Sequence, residues 1–284
     1  VVAGILGGVT SIEFGFKGFA GIFIAMIFAA LIAIVFGFFY GILLNRIKGD
    51  EMLIATYVGY SFTAFMCIAY LILPYKNPVS VLSYSGRGLS QQVPVADYWM
   101  KSKVLENGTR ITEGLLNNFL SISILGVRIP VGMFLIFALM AFIVWAFFKT
   151  KTGTAMTAVG SNPEYARASG ININRVRLVS VIFSTVLAAV GIIIYQQSYG
   201  FIQLYQAPLA FTFQTVAALL IGGASINKAS IPNVIIGTFL FQGVITLTPT
   251  VINGALNIDI SEILRMIITN GMIIYALTRR SKDE

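Results

Sequence analysis

The stretch GFAGIFIAMIFAALIAIVFGFFYGILL, which runs from Gly18 to Leu44, contains no charged residue. Since the hydrocarbon core of a bilayer is about 30 Å thick, a helix needs about 20 consecutive apolar residues to cross it. This stretch therefore predicts a transmembrane helix. Lys17 precedes it and Arg46 follows it, and basic residues are common beside the ends of membrane spans.

The composition of the whole chain indicates the same environment. Of its 284 residues, 57% are hydrophobic and 11% are charged, compared with about 25% charged residues in ordinary soluble domains. A soluble fold could not bury so much apolar surface, so lipid must solvate much of it. We expect an all-α integral membrane protein, a polytopic bundle of about seven transmembrane helices and a short cytoplasmic coupling helix. The predicted spans are Gly18–Leu44, Met52–Leu73, Ile129–Phe148, Leu178–Tyr199, Pro208–Ala224, Pro232–Pro249 and Ile263–Leu277.

The first residues, Val1–Thr10, are apolar but too short to cross a membrane. They fit either the stump of a lost span or a re-entrant segment, and we favour the stump. Because the chain starts with Val and not with Met, we expect that the natural N-terminus is missing and that further spans precede this one.

The basic residues indicate the orientation of the bundle. Lys and Arg number 19 against 11 Asp and Glu, a net charge of +8. They form short clusters between the apolar stretches, which is typical of membrane topology and not of a nucleic-acid-binding surface. If the connection after Leu44 is cytoplasmic, eleven basic residues lie inside and six outside, which predicts seven crossings and a cytoplasmic C-terminus. The eleven are Arg46, Lys48, Lys149, Lys151, Arg167, Arg175, Arg177, Lys228, Arg279, Arg280 and Lys282.

Two connections are too long to be simple turns. The outer loop, residues 75–127, mixes polar residues with Trp99 and several tyrosines, so we expect a small folded cap. The inner loop, residues 149–177, is the more informative of the two. Both are expected to belong to one transmembrane domain that covers residues 1–284.

The centre of the inner loop has the residues that begin and end a short helix. Asn162 is a good N-cap, Pro163 suits the first helical position, and Glu164 is favourable near the positive end of the helix dipole. Gly170 suits the left-handed conformation that follows a helix. Two interpretations fit equally well. The segment is a docking element that a partner grips through residues such as Tyr165, or it is an amphipathic linker on the lipid headgroups.

Two motifs in the chain resemble those of a known family. The first is TGTAMTAVGSNPEYA, residues 152–166, followed by Ser169-Gly170-Ile171, and the second is LIGGAS, residues 220–225. Together they resemble the signatures of permeases from the ribose, galactose and branched-chain amino-acid class of bacterial ABC importers. The resemblance extends from about Gly37 to the C-terminus. The chain differs from the usual family pattern because additional N-terminal spans are missing and the outer loop is long.

The resemblance implies a location, a set of partners and a coupling site. Such permeases lie in the bacterial inner membrane and pair with a second permease subunit. They receive solute from an extracytoplasmic binding protein and dock ATP-binding cassette ATPase subunits. The solute would be a simple sugar or, alternatively, a nucleoside. The residues of the coupling helix would be Asn162, Pro163, Glu164, Tyr165 and Arg167, with Gly170 after it.

Features that are missing from the sequence agree with a permease that does no covalent chemistry. There is no GxxxxGK[ST] phosphate-binding loop and no His, so we expect no cofactor, metal ligand or catalytic residue in this chain. No acidic residue lies in the middle of a predicted span, where carriers driven by protons or sodium normally keep one. A non-transporting membrane scaffold and an intramembrane enzyme are the alternatives from other classes, and these absences count against the enzyme.

Uncharged polar residues in the later spans are the candidates for a solute pathway. Gln214 and Gln242 lie near the middle of their spans, with Phe213 and Phe241 beside them, and Asn270 lies in the last span. As a group they predict a path for a polar solute that has a flat face. The alternative is that they form hydrogen bonds between helices, each worth about 0.6 kcal/mol on average.

Overall fold

The computed structural model describes residues 1–47, 51–72, 83–84, 88–89, 92–104, 110–124, 127–204, 207–224, 229–256, 263, 266–272 and 274–275. The chain divides into two compact units, Val1–Pro208 and Leu209–Glu284. The helices are α1 (Val2–Glu13), α2 (Gly18–Arg46), α3 (Glu51–Ile72), α4 (Ala96–Trp99), α5 (Leu115–Asn118), α6 (Val131–Phe148), α7 (Lys151–Ser161), α8 (Pro163–Ala168), α9 (Ile173–Tyr199), α10 (Ala207–Ile221) and α11 (Ile231–Leu256). The strands are β1 (Ser83–Tyr84), β2 (Gly88–Leu89), β3 (Gln92–Pro94), β4 (Met100–Val104), β5 (Arg110–Gly114), β6 (Ser121–Ile124), β7 (Val127–Pro130) and β8 (Phe201–Gln203).

Four of the described helices are long and apolar enough to cross a membrane, namely α2, α6, α9 and the part of α11 from Ile231 to Thr248. The structure is thus that of a helical membrane protein, but the predicted number of about seven spans is not confirmed. α3 and α10 are helical where spans were predicted, yet the apolar segment Ile54–Ala69 of α3 and the 15 residues of α10 are shorter than these four. Much of the last predicted span, Ile263–Leu277, lies outside the described residues.

A stripe of small residues on α2 organises the first unit. Its members recur every four residues and therefore lie on one face of the helix. A methyl group on Gly37 would lie 3.0 Å from the Cα atom of Ile182 in α9, and Gly7 of α1 lies against the backbone of Ala29. Because lipid is as apolar as the side chains, close backbone contact is what favours helix association here. Gly37 and Gly41 thus let α2 and α9 pack closely. The buried stripe is Gly21, Ala25, Ala29, Ala33, Gly37 and Gly41.

The apolar residues at the start of the chain form most of the helix α1. It has 12 residues, ten of which are buried, and it packs against α2 and α9. A methyl group on Gly8 would lie 3.2 Å from the Cδ1 atom of Ile193, and Gly4 lies against Ile192. The segment is a packed element of the bundle, because its glycines let the backbone come close to two longer helices. Its interpretation as the stump of a lost span stays a prediction.

The segment between α3 and α6 contains the expected folded cap, as far as its residues are described. β4 and β5 form an antiparallel hairpin in which Met100 lies opposite Gly114. β3 pairs with β8, the strand that follows α9, with Val93 opposite Ile202. Trp99, at the end of α4, is fully buried. These contacts attach the cap to the helices, whereas the side of the membrane on which it lies stays a prediction.

In the second unit, α10 and α11 form a tightly packed hairpin. A methyl group on Gly222 would lie 2.9 Å from the Cα atom of Gly237, and Asn233 Nδ2 donates a hydrogen bond to the Gly222 carbonyl at 2.8 Å. Gly223 has φ of 84°, which ends α10 in the left-handed region. Of the residues LIGGAS that resemble a family signature, Leu220 to Ala224 therefore span the end of α10 and the turn after it, and Ser225 lies outside the described residues.

Candidate coupling site

The short helix α8 begins as its sequence predicts. Asn162 Oδ1 accepts a hydrogen bond from the Tyr165 backbone N–H at 3.0 Å, and Pro163 occupies the first helical position. The Glu164 carboxylate and the Arg167 guanidinium are 3.6 Å apart on the exposed surface. Such an exposed pair contributes little to stability, so both charges remain accessible to a partner.

The end of α8 is also as predicted. Gly170 has φ of 79°. The Ile171 N–H donates to the Ala166 carbonyl at 3.0 Å, and the Gly170 N–H donates to the Arg167 carbonyl at 3.0 Å. This pair of bonds is the Schellman motif, which satisfies the last carbonyls of a helix and turns the chain sharply.

The helix α9 starts immediately after this turn. Asn172 Oδ1 accepts a hydrogen bond from the Arg175 N–H at 3.1 Å, so α9 begins at Ile173 and not at the predicted Leu178. Only Gly170 and Ile171 separate the last capping residue of α8, Ser169, from the N-cap of α9. The connection between α8 and α9 is therefore very short and hydrogen-bonded.

The helix α7 was not predicted from the sequence. Residues 149–177 were predicted as a loop with one short helix, but most of them are helical. Thr150 caps the start of α7, where its hydroxyl accepts a hydrogen bond from the Gly153 N–H at 3.2 Å. Its many Thr and Gly residues have low helix propensity, which concealed it. The available signals were Thr150 as N-cap and the apolar pair Met156 and Val159, three residues apart.

One side of α8 is packed and the other is open. Ala166 is fully buried, whereas Tyr165 next to it is 70% exposed. A groove of about 610 Å³ lies where α7 and α8 meet the ends of α2 and α9, and its lining includes Leu44, Val159 and Arg167. The site thus presents an exposed aromatic ring and two charges on a helix that is anchored to the bundle.

Two contacts connect the site to the spans. Asn45 Nδ2, near the end of α2, donates a hydrogen bond to the Asn174 carbonyl at the start of α9 at 2.8 Å. The rings of Phe147 in α6 and Phe183 in α9 are stacked, with centroids 3.9 Å apart. Three candidate spans, α2, α6 and α9, are therefore in contact beside α8.

The predicted pathway residues are not gathered into one cluster among the described residues. Phe241 is buried in the α10–α11 core with Ala217 and Ala218, whereas Gln242 is exposed and donates to Thr246 Oγ1 at 3.3 Å. Their pathway role stays a prediction. Gln214 is half-buried and lies on the α10 face that carries Ala217 and Ala218, Asn270 is exposed, and the side chain of Phe213 lies outside the described part.

A comparison with protein families shows one match over almost the whole chain. The model of the family described as "Branched-chain amino acid transport system / permease component" matches residues 1–277. This match confirms the resemblance inferred from the two motifs.

Individual relatives are similar over shorter ranges. The autoinducer 2 import system permease protein LsrC of Enterobacter sp. (strain 638) is 28% identical over 71% of this chain and 55% of the relative. The probable ABC transporter permease protein YphD of Escherichia coli (strain K12) is 30% identical over 54% of this chain and 46% of the relative. The ribose import permease protein RbsC of Haemophilus influenzae is 28% identical over 61% of this chain and 53% of the relative. The chain spans about half the length of these relatives, and no solved structure matches it significantly.

Proposed function

Because this chain belongs to the family of branched-chain amino acid transport system permease components, we propose that it is the membrane-spanning permease subunit of an ATP-driven importer for a simple sugar. The observation that carries the proposal is α8, an exposed short helix that is capped at both ends and joined directly to α9. A linker resting on headgroups does not need such a rigid connection to a span. The relatives named for ribose and autoinducer 2 import support a sugar as the solute.

The geometry supports a mechanical role for α8. ATPase subunits that bind Tyr165 and the adjacent charges would move α8 when they close on ATP. The Schellman turn at Gly170 and the cap at Asn172 would pass that motion to α9, and the Asn45–Asn174 hydrogen bond would pass it to α2. The bundle, paired with a second permease subunit, would then switch from outward-open to inward-open and release a solute delivered by an extracytoplasmic binding protein.

The proposed orientation places the coupling site and the C-terminus in the cytoplasm of a bacterium and the cap outside the inner membrane. In a Cys67→Ser background, a single Cys at position 101, on β4 of the cap, should react with a membrane-impermeant maleimide added to intact cells. A Cys at exposed position 164 should react only after the membrane is opened. The reverse pattern would contradict the orientation.

The proposed transport is tested by uptake of a labelled sugar into cells or vesicles that contain the chain with its ATPase and binding protein. We expect uptake that requires ATP and the binding protein. Nucleosides are tested in the same assay. If they are taken up in preference to sugars, the solute is a nucleoside and not a sugar. If no solute enters although all partners assemble, the scaffold interpretation would stand.

The same assay tests the pathway residues. Gln242→Leu and Gln214→Leu are expected to reduce uptake several-fold with normal protein levels, since each removes an amide from the proposed path. Thr215→Ala is the control, because the Thr215 hydroxyl already donates to the Phe211 carbonyl of its own helix at 2.7 Å. Normal uptake by both Gln variants would show that these residues only pack or face lipid.

A further inference from the structure

Two neighbouring glutamines near the end of α9 differ in their hydrogen bonding. Both are buried, with 2% of Gln196 and 0% of Gln197 exposed. Gln197 Oε1 accepts from the Leu116 N–H at 3.3 Å, and its Nε2 donates to Asn117 Oδ1 at 3.2 Å. Gln197 therefore ties α9 to α5 of the cap, and its amide is fully used by the fold.

The amide of Gln196 has no such role. Neither its oxygen nor its nitrogen has a hydrogen-bond partner in the part of the chain that the structure describes. A buried amide without a partner is unfavourable, and native proteins rarely keep one without a function. Gln196 thus differs from Gln197 in that the fold gains nothing from its polar group.

A second buried donor lies in the same region. Trp99 Nε1 is buried and has no acceptor among the described residues. A methyl group on Gly21 of α2 would lie 3.3 Å from this nitrogen, and one on Gly8 of α1 would lie 3.1 Å from the Cη2 atom of the same ring. The indole therefore lies between α1 and α2, with its N–H beside α2.

Gln196 belongs to the same junction of helices. Ile193, almost one turn before it on α9, approaches Gly8 of α1, as Trp99 does. Ile192, four residues before Gln196, lies against Gly4 of α1. Residues three and four apart share a helix face, so Gln196 follows both of these contacts on the α9 face toward α1. The unused amide and the unused indole N–H are thus brought to the junction of α1, α2, α4 and α9.

We propose that Gln196, with Trp99 Nε1, is a hydrogen-bonding contact for the transported solute, and that this solute is neutral and hydroxylated. The proposal rests on the transport function proposed above. An amide both donates and accepts, as a hydroxyl group does, and the indole adds one donor. Neither group carries a charge to compensate a charged solute. Both groups are buried in this structure, so the proposal requires a second conformation of the bundle in which the solute reaches them.

The first test compares Gln196→Met with Gln197→Met in ATP-dependent sugar uptake, since Met matches Gln in length and shape without its polar atoms. Gln196→Met should accumulate in the membrane with unchanged or higher thermal stability and raise the KM for the sugar about tenfold. Gln197→Met should lower the thermal stability, because the Leu116 N–H loses its acceptor and Asn117 Oδ1 keeps only the hydrogen bond from Ser198 Oγ. The KM of the remaining protein should stay unchanged.

The second test uses monodeoxy analogues of the transported sugar. For the wild type, one analogue should have a KM about tenfold above that of the parent sugar, because it lacks the hydroxyl that Gln196 binds. For Gln196→Met, the parent and that analogue should have the same KM. Gln197→Met should discriminate between them as the wild type does.

Two results would overturn the inference while transport itself stands. An unchanged KM for Gln196→Met, with its discrimination between parent and deoxy sugars intact, would show that Gln196 does not contact the solute. Loss of thermal stability in Gln196→Met equal to that in Gln197→Met would show that its amide serves the fold. If the wild type transports no solute at all, the proposed function itself fails, which is a different outcome.

Discussion

Replacing Gly170 with Val is expected to abolish ATP-dependent uptake while the protein stays in the membrane at its normal level. Gly170 has φ of 79°, and a β-branched residue in this region costs about 1–2 kcal/mol. None of the described residues lies within 4 Å of the position that a Cβ would take, so the effect comes from the backbone and not from a collision. The Schellman turn should loosen, and the short connection from α8 to α9 would lose its fixed angle.

The control for Gly170→Val is available at the same position. Asn adopts the left-handed conformation more readily than other residues with a side chain, so Gly170→Asn should keep uptake and co-purification with the ATPase. Gly170→Val should lose both while still binding the solute-binding protein. Co-purification of Gly170→Val at the wild-type level would contradict a coupling role for this turn.

The same experiment includes Tyr165→Ala, which should reduce ATPase co-purification by a factor of about 30 or more, as expected for an aromatic anchor at an interface. Tyr165 is 70% exposed, so its removal should not affect the fold. Tyr57 of α3 is 66% exposed and provides the matched control, because Tyr57→Ala removes an equally exposed ring away from α8. If Tyr165→Ala behaves as Tyr57→Ala does, α8 is a linker on the headgroups.

Replacing Gly7 with Leu is expected to prevent the protein from accumulating in the membrane. A Cβ at Gly7 would lie 2.6 Å from the Ala29 Cα and 2.8 Å from its Cβ, and backbone atoms cannot move aside as a side chain can. Overpacking typically lowers the free energy of unfolding by about 1–3 kcal/mol. A Leu side chain placed against backbone atoms should reach or exceed the upper end of this range. α1 would be forced away from the small-residue stripe of α2, so we expect less protein and a lower Tm in detergent.

The matched control for Gly7→Leu is Gly191→Leu on α9. Gly191 is exposed, and none of the described residues lies within 4 Å of the position that an added Cβ would take. Gly191→Leu should therefore accumulate normally, since an added Leu there meets only lipid. Equal accumulation and equal Tm of the two variants would show that α1 does not pack against α2 as described.

The sequence by itself determined the features that depend on composition or on residues close together in the chain. The lack of charge in Gly18–Leu44 was sufficient to predict a membrane helix, which α2 confirms. The short helix α8 was predicted correctly because its start and its end depend on hydrogen bonds between groups only three to five residues apart. Its coupling role stays a prediction. The two motifs were sufficient for the family, which the match over residues 1–277 confirms.

Only the tertiary structure decided which residues from distant parts of the chain meet. The burial of α1, the hydrogen bond from Asn45 to Asn174 and the pairing of Val93 with Ile202 all join segments that are separated by long stretches of sequence. Gln196 and Gln197 show most clearly what the sequence alone could not determine. They are adjacent and chemically identical, yet within the described part of the chain only the Gln197 side chain has hydrogen-bond partners. The difference arises because the elements that pack beside each face of the helix decide which side chains find a partner.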